Sequence, residues 1–339
     1  MKLRSSLRAL ACVAAACGTV LAAQAAPAYH LVDLGTDATA YAINNHGTIA
    51  GTWPGAVAAT WHDGAWHQRK PGVRADNIDD DGELVGLAQF IPGGIARPAY
   101  WPKVGAAIQV VTPYGPRSTA VYSVAAGRVS GAGVGADGIQ NCFTWTPAGG
   151  VVEFAAGSSL GWCAATGINE AGQVAGTSVQ AGSAHENAFI WQDGVMTFLP
   201  MLPGATDSYG NAINGKGHVI IQSNQPTASG GNWTRSTLWN GRRLIDIGVL
   251  YKGASSEPKA MNDHDDVVGE TFDHQGLHSS SYLYSDGQLY DLATLIDNGV
   301  GWEFPFGASG IADDGTIVGN AKLGDLWHAY MLVPLTPLH

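Results

Sequence analysis

Ala165-Thr166-Gly167-Ile168-Asn169-Glu170-Ala171-Gly172-Gln173-Val174-Ala175-Gly176 is the clearest copy of a pattern, A-x-x-I-N-x-x-G-x-[VI]-x-G, that recurs along the chain. Ala40, Ile43, Asn44, Gly47 and Gly51 form the first copy, and Ala75, Ile78, Asp79, Gly82 and Gly86 the second. The third keeps Ala120, Gly127 and Gly131 but has Ser123 and Val124 where Ile and Asn belong. The fifth keeps Gly210, Ile213, Asn214 and Gly217, and the sixth Met261, Asn262 and Gly269, with Asp265 in the turn-glycine place. The seventh has Ala308, Ile311, Gly315 and Gly319. The turn position falls at 47, 82, 127, 172, 217, 265 and 315, a period of about 45 residues, which marks a repeat architecture.

A second element follows each copy after a variable loop. It is a short apolar run ending in an aromatic: Trp61, Trp101, Trp145, Trp191, Trp239 and Tyr284, with Leu332 in the last copy. A tight turn follows, as in His62-Asp63-Gly64, Gln192-Asp193-Gly194 and Ser285-Asp286-Gly287, and then another short strand. Each unit therefore reads as four strands, a to d, with the Asn or Asp before the turn glycine supplying positive-φ hairpin chemistry between a and b. The repeated aromatic has the size to pack one sheet against the next. Tyr29 to Gly35 reads as a d strand with no preceding c, and Tyr330 to Val333 as a c strand with no following d. Pairing them closes a ring without an open seam. The expected fold is all-β: a seven-bladed β-propeller of four-stranded blades, its last blade completed by the N- and C-terminal strands, in a single domain over residues 26–339.

Composition agrees. Only 13 % of the 339 residues are charged, and 46 glycines, 11 tryptophans and 11 tyrosines suit short strands and turns better than long helices. The net charge of −11 repels phosphate backbones and anionic bilayers, so neither nucleic acid nor a membrane surface is an expected partner. Residues 1–25 read as a signal peptide: Lys2, Arg4 and Arg8 precede an apolar stretch from Ala9 to Ala23, and Ala23-Gln24-Ala25 is an A-x-A cleavage site. No later run is long enough to span a bilayer. The mature protein is expected in the periplasm or outside the cell, as a monomer. Cys142 and Cys163 remain after cleavage, and in an oxidising compartment they are expected to form a disulfide.

These residues resemble the HAF-repeat family of extracellular repeat proteins. Asn187-Ala188-Phe189-Ile190-Trp191 and His328-Ala329-Tyr330 match its His-Ala-Phe run, and Ile168 to Gly176 its upstream element. The resemblance covers the whole mature chain and implies an exported propeller, without a common chemistry.

Several motifs match catalytic or metal patterns without their context. Gly157-Ser158-Ser159-Leu160-Gly161 has the spacing of a nucleophile elbow but lies between blades. Gly210 to Lys216 imitates a phosphate loop, yet Gly217 replaces the required Ser or Thr. Asn77, Asp79 and Asp81 imitate a calcium loop whose twelfth residue is Ala88. His264, Asp266, Asp273, His274 and His278 lack a helix to align them. No cofactor, metal or catalytic residue is assigned.

Loop length points to a working face. The a–b and c–d turns are tight, while the b–c and d–a connections are longer and emerge together on one face of the ring. Trp53, Trp162, Trp233, Trp302 and Trp327, with Arg97, Arg117 and Arg235, are the candidate ligand-binding residues there. Phe90, Tyr114, Tyr209, Tyr251, Phe272, Phe304, Arg74 and His185 accompany them. Ring faces with scattered hydrogen-bonding groups suit a carbohydrate or protein ligand, so a binding module is expected rather than an enzyme. The alternative is a glycan hydrolase, lyase or epimerase, with Asp207, Glu257 and Asp297 converging at the channel mouth. Export from a bacterial host is expected to leave Ala26 as the first residue; an intact mass that retains residues 1–25 would overturn the cleavage reading.

Overall fold

A computed structural model describes residues 26–115, 117–154, 162–179, 182–227, 231–273, 278–303 and 307–339. The leader, Ser159, His274 and Phe304 fall outside them. Seven antiparallel sheets surround a central channel. The first blade comprises Thr39–Ile43, Ile49–Trp53, Val57–His62 and Ala65–Gln68, paired in chain order. The next five blades repeat that order, with inner a strands Gly72–Ile78, Thr119–Ala125, Cys163–Ile168, Asp207–Ile213 and Ser255–Met261. In the seventh, Ile317–Leu323 pairs with two inner segments, Trp302–Glu303 and Ala308–Ile311, so the expected single a strand comes in two pieces. Its outer strand is Tyr29–Thr36, antiparallel to Leu326–Pro334, with Tyr29 opposite Pro334 and Leu31 opposite Leu332. The ring is closed by the chain's two ends, as the sequence predicts. Among the described residues no helix is long and apolar enough to cross a membrane.

The repeat positions have distinct physical tasks. Each aromatic at the end of strand c lies opposite the first apolar residue of strand b, as in Ile49 with Trp61, Val174 with Trp191 and Val219 with Trp239. Apolar clusters bridge neighbouring blades: Tyr100 of blade two meets Trp145 of blade three edge to face at 5.8 Å, and Phe154 of blade three stacks on Trp191 of blade four at 4.4 Å. The second glycine of the repeat is needed for a close approach. A Cβ on Gly51, Gly86 or Gly176 would overlap the carbonyl oxygen of the inner strand beside it. A disulfide joins Cys142 in strand c of blade three to Cys163 at the start of blade four.

The conserved Asn does something the sequence does not announce. Positive φ belongs to the turn-glycine place, from 70° at Asp265 to 85° at Gly315, and Asn44, Asn169, Asn214 and Asn262 are not among the positive-φ residues. Each of these buried side chains closes its own turn and also reaches the next blade. Asn214 Oδ1 accepts from the backbone N–H groups of Lys216 and His218, while its Nδ2 donates to the Asn262 carbonyl at 3.0 Å. Likewise Asn44 donates to the Asp79 carbonyl, Asn169 to that of Asn214, and Asn262 to that of Ala312. Ala312 has no amide to offer, and the seventh interface is closed one residue on: the Asp313 N–H donates to Asn45 Oδ1, and Asn45 Nδ2 to Asp313 Oδ2. An Asn214→Ala substitution takes the acceptor from two N–H donors and leaves the Asn262 carbonyl with the Asp265 N–H alone. It is expected to cost roughly 2–4 kcal/mol, read as a lower guanidinium midpoint at unchanged slope; an unaltered midpoint would show that these bonds do not hold the ring.

Candidate functional site

One extra residue sets the chemistry of the channel. Every inner strand carries a β-bulge between the repeat's Ala and Ile positions, for instance between Ala40 and Ala42, Val121 and Ser123, Gly210 and Ala212, and Pro258 and Ala260. A bulge re-aims a side chain without ending the strand. The bulged residues are Tyr41, Asp76, Tyr122, Thr166, Asn211, Lys259 and Ser309, and all but Asp76 line a channel of about 730 Å³. The residue after each is small or short, and a Cβ on Gly310 would come within 3.0 Å of the Ile43 backbone N in the next blade. Thr166, Asn211 and Ser309 donate to the carbonyls of Gly210, Pro258 and Ala40 in the following blade. Ring contacts and functional side chains thus share one position.

On the long-loop face the channel opens into a pocket of about 660 Å³. Tyr122, Trp162 and Tyr209 supply rings, and Asn211, Gln222, Asn224 and Lys259 supply polar groups. Trp162 is held from several sides: its carbonyl accepts from Ser178 Oγ and the Val179 N–H, and its neighbour Cys163 is tied to blade three by the disulfide and by Gln140. The bulge ammonium, Lys259 Nζ, lies 3.2 Å from Glu257 Oε2 and 3.9 Å from Glu270 Oε2. Arg74, whose guanidinium lies 5.9 Å from the Tyr41 ring centre, chelates Asp76. Burial pushes the Asp76 carboxyl above the usual range, only partly offset by Arg74.

Two titratable pairs flank the mouth between blades four and five. Burial would raise Asp207, but hydrogen bonds from Thr206, the Glu186 N–H and His185 together hold it below the usual carboxylate range. Tyr209 is held above the ordinary phenol range by burial and then by the adjacent Glu186 carboxylate.

Of the eight candidate residues, Trp162 lines the mouth and the other seven are spread over the face. Trp53 packs on Trp66 at 6.1 Å, and Trp302 stands edge-on to His328 and Tyr330. Trp233 lies beside Gly253, and Trp327 is half exposed with Lys322 Nζ 5.7 Å from its ring centre. Arg97 opens strand c of blade two, Arg235 sits opposite Ser223, and Arg117 is exposed before blade three. The three carboxylates of the enzyme alternative do not converge: Asp297 bonds His30 on the outermost strand of blade seven, whereas Asp207 and Glu257 lie on inner strands. Tyr122, Asn211, Gln222, Asn224 and Lys259 escaped the sequence reading. For Asn211 and Lys259 the signal was the first x of the repeat, which is polar in six copies and Val121 in the third; Tyr122, Gln222 and Asn224 stand elsewhere in their units.

At the opposite end of the channel, one repeat departs from Asn for a visible reason. Blade three turns tightly at Ala126-Gly127 and presents the Ala126 N–H where other blades present a carbonyl. The facing side chain is accordingly an acceptor, Asp79, which also accepts from the Glu83 N–H. Burial pushes the Asp79 carboxyl up to about 7, and the neighbouring Glu83 carboxylate adds to the effect against its N–H bonds. A carboxyl raised in the folded state contributes stability below its unfolded pKa that is lost as pH rises through the folded value. Wild type is therefore expected to lose stability between about pH 4 and 8 through this group. Asp79→Asn cannot ionise but loses one of the two acceptors, so relative to wild type its melting temperature should rise by roughly 2–4 °C between about pH 4 and pH 8. Parallel calorimetric curves at both pH values would refute the assignment.

No protein-family model matches the chain, and no curated protein does. Among solved structures, it is similar to the β-propeller domain of the Trilobed protease from Pyrococcus furiosus, with a TM-score of 0.59 at 9 % identity, over 92 % of this chain and 96 % of that one. That domain has an open velcro topology; here the seam is paired. A puromycin-hydrolyzing peptidase from Mycobacterium tuberculosis matches with a TM-score of 0.53 at 12 % identity, over 92 % of this chain and 53 % of that one. The acylaminoacyl peptidase of Pyrococcus horikoshii gives 0.52 at 13 %, over 92 % and 52 %. The chain spans about half the length of these two peptidases. At such identities the likeness is one of fold.

Proposed function

We propose that the protein is an exported recognition module of the HAF-repeat kind that binds a carbohydrate at the long-loop mouth of its channel. The observation that carries this reading is the convergence of Tyr122, Trp162 and Tyr209 with three side-chain amides in one pocket. Sugar rings offer apolar C–H faces that stack on aromatics and hydroxyls that need paired donors and acceptors, which amides supply. Tyr122 is set by a bulge, Trp162 by the neighbouring disulfide and Tyr209 by its strand, all on a closed scaffold, so little ordering remains to oppose binding. The basic leader, the cleavage site and the cystine support export.

A second reading, turnover of the glycan, draws on His185–Asp207 and Tyr209 beside Glu186 as proton-transfer groups at the same mouth. Both are tested together by glycan-array binding with the mature protein, followed by assay of each hit for new reducing ends. Trp162→Ala is expected to weaken any array hit by about tenfold or more, since one stacked ring contributes on that scale. Equal binding by the variant would remove the mouth as the site.

A further inference from the structure

The mouth also carries information on which carbohydrates it accepts. Its ammonium, Lys259, is shared by Glu257 and Glu270, which lie opposite each other on adjacent strands and are 29 % and 28 % exposed. Arg74, the cation beside Tyr41, is occupied by Asp76. Asp207 and Glu186 add carboxylates next to Tyr209, and the whole chain carries a charge of −11. Each of these two cations is thus already matched by at least one carboxylate. A uronate, sulfate or phosphate on the ligand would have to break such a pair and then face the carboxylate left behind.

A neutral polyol meets the opposite situation. A hydroxyl donates one hydrogen bond and accepts others. Glu257 and Glu270 are charged acceptors 3.2 and 3.9 Å from a charged donor that lines the mouth, so neighbouring hydroxyls can donate to the carboxylates while one accepts from the Lys259 ammonium. Charge-assisted bonds of this kind are stronger than neutral ones. The bulge at Lys259 is what turns the donor toward the channel, beside the two acceptors.

We infer that the Glu257–Lys259–Glu270 group reads the hydroxyls of a neutral glycan and discriminates against acidic ones, an inference that rests on the carbohydrate reading above. The mature protein is titrated calorimetrically with neutral oligosaccharides and with uronate and sulfated counterparts of equal length, at about 50 and about 500 mM NaCl. Neutral glycans are expected to bind at least about tenfold tighter than their acidic counterparts, with affinity nearly independent of salt. Glu257→Gln and Glu270→Gln should each lower the neutral affinity about tenfold and narrow the gap between the two classes. Lys259→Met provides a second arm: it removes the donor beside the carboxylates, and should widen the gap while weakening neutral binding. Thermal melts of all variants confirm folding. Preference for an acidic glycan, with affinity that falls in salt and depends on Trp162, would overturn the inference and leave the carbohydrate reading standing. Wild-type affinity in both Gln variants would do the same. Binding of neither class would overturn both.

Discussion

A ring of small sheets holds together only if each sheet is bound to the next at the narrow inner edge, where strands are close and side chains have least room. The Asn side chain of the a–b turn meets that constraint. It satisfies the backbone donors of its own turn through Oδ1 and spends Nδ2 on the neighbouring blade, so folding within a blade and registration between blades depend on one amide. Nearly full burial raises the stake, because a polar group left unpaired in such a place costs more than a formed bond gains. Three blades depart from Asn: at Val124 the neighbouring Ser123 Oγ accepts from the Ile168 N–H of the next blade, and the other two follow from what the partner offers. Where blade three offers an N–H, Asp79 replaces Asn; where blade seven has Ala312, its carbonyl still accepts and Asp313 with Asn45 supplies the missing link.

With the inner edge fixed in this way, the bulge becomes affordable and useful. The extra residue is turned toward the channel in six of the seven strands, while its small or short successor lets adjacent inner strands approach. The seven bulged positions hold Tyr, Asp, Tyr, Thr, Asn, Lys and Ser, and only Thr166, Asn211 and Ser309 among them bond the carbonyl of the following blade. Specificity on such a scaffold is altered by changing one residue per blade without touching the core. The mouth shows the result: rings from blades three to five, amides from blade five, and a charged group from blade six.

The blade number, the four-strand unit and the closure by both termini were legible because they rest on period, turn chemistry and strand alternation, which are local in sequence. The Asn was legible as a turn residue, but its second bond is made to a blade about 45 residues away and leaves no local mark. The bulges were hidden for a related reason. One extra residue is defined only against the partner strand's register, so a polar residue beside Ala looks like ordinary strand alternation. The aromatics were over-collected. Nothing in a variable loop distinguishes Trp53, whose ring lies on Trp66, from Trp162, whose ring faces an opening. The enzyme alternative failed to assemble around Asp297 because that residue belongs to the seam at the outer rim.

That seam has a consequence for how the molecule comes into being. Strand Tyr29–Thr36 is made early, yet its partner is Leu326–Pro334, made almost last. During synthesis, six blades can zip in order while the first strand waits without its partner and its apolar side chains Tyr29, Leu31 and Leu34, buried in the finished ring, are still in water. Closure of this widest loop is the slowest kind of contact to form by chance. The circle therefore acts as a check on completeness: a chain cut short before its final strand leaves Tyr29–Thr36 without its ladder partner and exposes the side of Ile317–Leu323 that Leu326–Pro334 covers.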